Sequence, residues 1–379
     1  MNTRILRAAA AAFFIGGASV AVIATMAPVT AEAAGVRASV GTPLKEAISL
    51  AGSGHGSEAL AKVQQAQSVG GLSAAEQQAI SQTKEYIAAK TGQGGGAAAC
   101  RAKFANDYNA GRYRDAIADA DCLRAKGQFT GNDQLIVAQA EYLSGDYAAA
   151  IRSARGIGGK TAQELMLSAA FKSGDQATMR EVLESLIAGG ASQYWAQYLT
   201  SAENAHGLQD HQTLDLLRLR FRTGTLRGAS DYELAAELAL QVGSPQEAAD
   251  IMQKGFDAKV LTDNRAQRLL GVAKAAAAKD SANLAAMQKT ADAAASGDAD
   301  VKIGEELNGF GKYADAITAI QNGIKKGVTD KGNAQVRLGV AYMGAGQHDA
   351  AQSAFAKVPK DGGNWPLIAH IWSMYARSH

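Results

Sequence analysis

The phrase Gly111-Arg-Tyr-Arg-Asp-Ala-Ile117 recurs as Gly145-Asp-Tyr-Ala-Ala-Ala-Ile151, 34 residues on, and again as Gly311-Lys-Tyr-Ala-Asp-Ala-Ile317. Weaker copies begin at Gly174, Gly207, Gly243 and Gly346, and a degenerate unit around Ala277 to Ala286 is expected in the double gap before Gly311. A chain with this period stacks one supersecondary unit. No unit buries its apolar face alone, so at least three must pack side by side.

Each unit reads as two helices. In the last, Leu338, Val340, Ala341 and Tyr342 precede the turn Gly344-Ala345-Gly346. Beyond it Ala350, Ala351, Ala354, Phe355 and Val358 recur near the helical period. Composition agrees: 47% of residues are apolar but only 6% aromatic, with 5 prolines against 41 glycines, so closely packed Ala-rich helices are expected and an all-β fold is not. Thr161-Ala-Gln-Glu164 reads as a capping box, and Thr262-Asp263 offers a capping oxygen.

Leu338-Gly339, Tyr342, Gly346, Ala351 and Phe355, and after them Ile303-Gly304, Gly311, Tyr313 and Ala316, closely resemble the tetratricopeptide repeat pattern of a small pair, an aromatic, an alanine and a second aromatic. The resemblance runs from about Ala98 to Pro359. It is weaker where Pro245 or Gln176 replaces the tyrosine. It implies an all-α, right-handed helical-repeat solenoid of seven to eight units, whose first helices line a concave surface suited to a protein or peptide. It also implies an adaptor, assembly factor or envelope-complex subunit. A superhelical scaffold for cell-wall glycan processing or polysaccharide export stands as the alternative.

Arg4 and Arg7, the apolar run Ala8 to Ala27, and Ala31-Glu32-Ala33 read as a signal peptide cleaved before Ala34, which places the mature chain in the periplasm or outside the cell. No later apolar run is long enough for stable membrane insertion. The expected organisation is a leader over 1–33, a divergent helical region and Gly-rich link over 34–97, the repeat array over 98–360 and a capping helix over 361–379. Pro43 to Ala66 looks like half a divergent unit, followed by a helix from Ala74 to Lys90 and a flexible link from Thr91 to Gly96.

With 38 Lys+Arg against 36 Asp+Glu, no field steers nucleic acid, and none is expected as partner. Gly159-Lys160-Thr161 resembles the end of a phosphate loop but lacks its opening glycine and preceding strand. Ser81-Gln-Thr-Lys84 with Lys90-Thr-Gly92 mimics acyl-serine motifs only in part. His206 and His211 are five apart and read as solvated loop residues rather than metal ligands. The cluster Arg218, Arg220, Arg222 and Arg227 reads first as cations at a helix C-terminus and second as a grip for a carboxylate or phosphate. Trp365, Trp372 and Tyr375 share an apolar stripe with Leu367, Ile368 and Ile371. No catalytic constellation, cofactor or metal is expected.

Two positive expectations remain. Cys100 lies 11 residues before Gly111 and Cys122 lies 11 after it, so an antiparallel hairpin sets them side by side for a disulfide. Carrying the family's concave face over by phase puts Tyr108, Tyr142 and Phe171 at one register, three residues before successive turn glycines. Beside this ladder fall Arg101, Gln139, Ser168, Lys172, Tyr194, Gln197, Ser201 and Asn204.

Overall fold

The computed structural model describes residues 35–91 and 96–378. The leader and its cleavage point lie outside the described residues, as does most of the Thr91–Gly96 link. Among the described residues every regular element is a helix. Their contacts form two compact units, divided between Leu165 and Met166.

The first unit contains α1 (Ala38–Gly52), α2 (Gly56–Gln67), α3 (Ala74–Thr91), α4 (Ala97–Asn109), α5 (Tyr113–Ala125), α6 (Gly131–Leu143) and α7 (Tyr147–Arg155). The pairs α1/α2, α4/α5 and α6/α7 are hairpins, and α3 packs on α1, α2 and α4. The segment from Pro43 to Ala66, expected to be half a unit, is thus a two-helix hairpin. Val40, Leu44, Ala47, Ala59, Val63, Ile80 and Ile87 form its core. A second core gathers Phe104, Ala116, Ala120, Leu123, Ile136 and Val137 around Cys100. Each fully buried aliphatic side chain here contributes about 1.5–3 kcal/mol.

The division between units falls inside α8 (Gly159–Ser173). Because α8 already begins at Gly159, Thr161 lies within its first turn and is not the N-cap expected. The paired box is found instead at Thr130 and Asp133, at the start of α6.

The second unit continues with α9 (Gln176–Ala188), a 3-10 turn at Ser192–Tyr194, α10 (Trp195–Glu203), α11 (Asp210–Thr223), α12 (Ala229–Val242), α13 (Pro245–Asp257) and α14 (Asn264–Ala293). It ends with α15 (Asp298–Gly309), α16 (Tyr313–Lys326), α17 (Lys331–Gly344), α18 (His348–Phe355) and α19 (Trp365–Arg377). The degenerate unit expected around Ala277–Ala286 is absent, because α14 is one 30-residue helix capped by Asp263. That stretch holds no glycine or proline, and its run of alanines favours continuing the helix over turning it.

The recurrent glycine of the repeat phrase is explained by the hairpin turn. Gly311 and Gly346 adopt φ of 72°, and Gly111 and Gly145 follow suit at 73° and 88°, a region costly for any residue with a Cβ. The small pair has a different cause. A Cβ on Gly339 would stand 2.3 Å from the Phe355 ring, and one on Gly304 would stand 2.4 Å from Ile320, so these positions set how closely paired helices approach. The terminal helix α19 packs on α17 and α18, closing the last hairpin, and also reaches back to α11 and α9.

Candidate interaction surface and buried ionic core

In the first unit, α4 and α6 lie near one another and carry four of the expected groove residues. Tyr108 donates its hydroxyl proton to Gln139 Oε1 at 3.1 Å, and its ring meets Tyr113 edge-on at 5.7 Å. Tyr142 repeats the arrangement one hairpin later, 5.5 Å from Tyr147. Both tyrosines are half-buried, while the neighbouring Leu143 keeps 49% of its surface in water.

Arg101 is engaged within the chain. It donates two hydrogen bonds to Asp133, at 2.7 and 3.1 Å, and a third to the Gln128 carbonyl at 2.7 Å. Asp133 also accepts from the Thr130 amide at 2.8 Å in the capping box of α6. The Arg101 guanidinium therefore ties α4 to the start of α6, and burial of Asp133 is outweighed, leaving its carboxyl below the ordinary value. The same device recurs at the first hairpin. Arg37 donates to Glu76 at 2.8 and 3.0 Å and to the Gly71 carbonyl, while Glu76 accepts from the Ser73 amide at the start of α3. The arginine also holds Glu76 well below the usual carboxylate range.

Cys100 and Cys122 are joined, with Cα atoms 5.6 Å apart, bridging α4 and α5 as equal distance from the turn predicts.

The remaining expected residues fall in the second unit. On α8, Phe171 is 60% exposed, Lys172 is exposed and Ser168 is half-buried. Tyr194 is only 4% exposed, so its ring is core rather than surface. Gln197 and Ser201 are half-buried on α10, and Asn204 is exposed just beyond it, donating to the Thr200 carbonyl.

The arginine cluster departs most from expectation. Arg218 is buried and donates to Glu247 at 2.7 and 2.6 Å, with Glu305 at 2.9 Å and Asp215 at 3.5 Å. Arg337, also buried, donates to Glu305 at 2.8 Å and to Asp215. The indole of Trp372 donates to the other Asp215 oxygen at 3.2 Å. One cluster thereby links α11, α13, α15, α17 and α19. Arg220 is wholly buried and bonds Glu203, Thr200 and the Thr225 carbonyl, and Arg222 lies 5.7 Å over the Trp372 ring. Arg218 and Arg220 are thus held in internal ion pairs, whereas Arg222 is an exposed cation in the last turn of α11, as expected, and Arg227 pairs with Glu203 and Asp231 at the surface. Burial pushes Asp215 up to about 6 and Glu305 up to about 7 against the pull of Arg218.

His211 belongs to the first turn of α11, 3.8 Å from Glu305, and burial lowers its pKa; it is not a solvated loop residue. The His206 carbonyl accepts from Asn364 at 3.0 Å. Nearby, Glu184 accepts from the Tyr198 hydroxyl at 2.7 Å and faces His370 at 3.2 Å. Local patterning could not find the cluster, because Asp215 and Arg337 are 122 residues apart and Asp215 and Trp372 are 157 apart.

Among the described residues, no group of three or more His, Cys, Asp or Glu side chains could hold a metal ion, and no helix is long and apolar enough to cross a membrane. No family model matches the chain, and no curated protein matches it. Among solved structures it is similar to a chain of the crystal structure of the APC/C hetero-tetramer Cut9-Hcn1, at 13% identity over 74% of this chain and 72% of that one, with a TM-score of 0.21.

Proposed function

We propose that the protein is a non-catalytic repeat scaffold that binds a protein or peptide partner along the α4/α6 face. The observation that supports this reading most is the strip of Tyr108, Tyr142 and Leu143, apolar surface left partly in water beside the polar Gln139. Rigid aromatic rings with a polar neighbour are what peptide-binding surfaces use. In the second unit, Phe171 stands at the same register of its own hairpin with Ser168 and Lys172, and with Gln197, Ser201 and Asn204 on or beside α10 it is read as a candidate surface of that unit by itself. Arg101 is assigned to holding the helices, since it donates three hydrogen bonds to Asp133 and the Gln128 carbonyl.

We also propose that the chain is exported and that its mature form begins at Ala34, in the periplasm or outside the cell. The Cys100–Cys122 bridge supports this, because such bonds persist in oxidising compartments. N-terminal sequencing of protein from its host checks the start; recovery of Met1 or Asn2 in the membrane fraction would replace export with a retained anchor.

The binding reading is tested by affinity purification from the native envelope, followed by pull-down of the recovered partner with Tyr108→Ala/Tyr142→Ala. A binding strip loses the partner while the melting temperature moves little. A drop of many degrees with the partner retained would make the rings packing elements.

A further inference from the structure

Two cavities of about 410 and 380 Å³ lie on the surface of the second unit and share Ile324, Gln335 and Lys357, so they form one elongated groove. Its walls come from α16 and α18, the second helices of successive hairpins, and its floor from α17. Gln335 precedes the core residue Arg337 by two positions, about 200° around the helix, so Gln335 faces away from the ionic core. The floor helix α17 is itself a first helix, but the register expected to bind, three residues before the turn glycine, falls there on Met343, which is not among the lining residues.

The lining has a distinct chemistry. Ala334 and Leu338 on the floor, with Ile324 and Val328 on the α16 side, make an apolar lining. Lys331 and Lys357 stand on the rim, exposed, and none of the lining residues is acidic. Neither lysine forms an ion pair among the described residues. Gln335 Oε1 is buried and accepts no hydrogen bond. The Tyr342 hydroxyl accepts from Gln321 Nε2 at 2.7 Å, which leaves its own proton to donate.

From this lining we infer that the α16–α17–α18 groove binds an extended acidic peptide segment of a partner protein, setting apolar side chains on the floor and carboxylates against Lys331 and Lys357. A peptide unit supplies both missing polar partners, an N–H for Gln335 and a carbonyl for the Tyr342 hydroxyl. A fatty acid supplies carboxylate and apolar chain but no donor for Gln335, so the peptide is the better match. The site is separate from the α4/α6 face and does not depend on it.

The full chain is titrated with a fluorescein-labelled peptide of alternating leucine and glutamate, with the same peptide bearing lysine for glutamate, and with decanoate below its micelle concentration. Hydrogen exchange locates the bound region. Saturable binding of the acidic peptide is expected, with protection confined to residues 321–359 and the turn at Ser296. Lys331→Glu/Lys357→Glu weakens it at least tenfold, Gln335→Leu weakens it several-fold with melting unchanged, and Tyr108→Ala/Tyr142→Ala leaves it intact. Equal binding of the lysine peptide, binding that survives the charge reversal, protection elsewhere, or displacement of the acidic peptide by decanoate overturns the proposal.

Discussion

Asp215 has no exposure to water, and each of its oxygens takes a hydrogen bond from a different helix, Arg337 on α17 and Trp372 on α19. Three carboxylates, Asp215, Glu247 and Glu305, share the cluster with two arginines, so the pocket carries one negative charge too many when all are ionised. Removing a cation worsens that imbalance: Arg337→Ala is expected to destabilise the second unit by about 3–5 kcal/mol, as for other broken buried pairs. Glu305→Gln should be far milder. The sign with pH follows from the raised pKa values. A carboxyl that holds its proton more tightly when folded stabilises most below its unfolded pKa, near 4, and loses that contribution as pH rises through its folded value of about 7. Thermal melts from pH 5 to 8 should therefore show wild type losing stability relative to Glu305→Gln; parallel curves would mean that Glu305 keeps one protonation state throughout.

At the element scale, the helices and their turns were legible because their causes are local. Gly311 and Gly346 mark hairpin turns since the turn needs a positive φ, and Gly339 belongs to a small pair since Phe355 fills the space where its side chain would be. Gly339→Ala is expected to cost about 1–3 kcal/mol by overpacking, with part of the loss recovered in Gly339→Ala/Phe355→Leu; chemical denaturation of the single and double variants measures the coupling. The equidistance of Cys100 and Cys122 from Gly111 was equally local, and the bridge formed. The period predicts a turn within α14 that does not form, because a period says where a turn should fall, whereas only a breaking residue makes one, and Ala277–Ala286 contains no glycine or proline. For the candidate face, the register put Tyr108 and Tyr142 at half-buried positions. The same phase put Tyr194 in the core, because a 3-10 turn interrupts the hairpin there.

The described residues fall into two units, and only the first carries a disulfide. Closing a loop of 22 residues is worth about 3 kcal/mol in the chain-entropy picture. Cys100→Ser/Cys122→Ser should therefore lower the melting of the first unit while leaving the second near its original temperature. Segment-resolved hydrogen exchange in denaturant reads the two separately, and an equal loss in both would mean that they unfold as one. What stayed illegible at this scale was the ionic core, since no rule of spacing joins Asp215 to Arg337 or Trp372.

That long-range closure has a consequence in time. The first unit is tied by partners close along the chain, such as Arg101 with Asp133 at 32 residues. Its hairpins have little to wait for. The second unit reaches its final state only when α19 returns to α11, across 157 residues between Asp215 and Trp372. During synthesis, Asp215 must stay hydrated, or find some temporary company, until nearly all of the unit has been made. The order of assembly is thus written into the chain: early hairpins settle as they appear, and the charges at the heart of the second unit are the last to leave water.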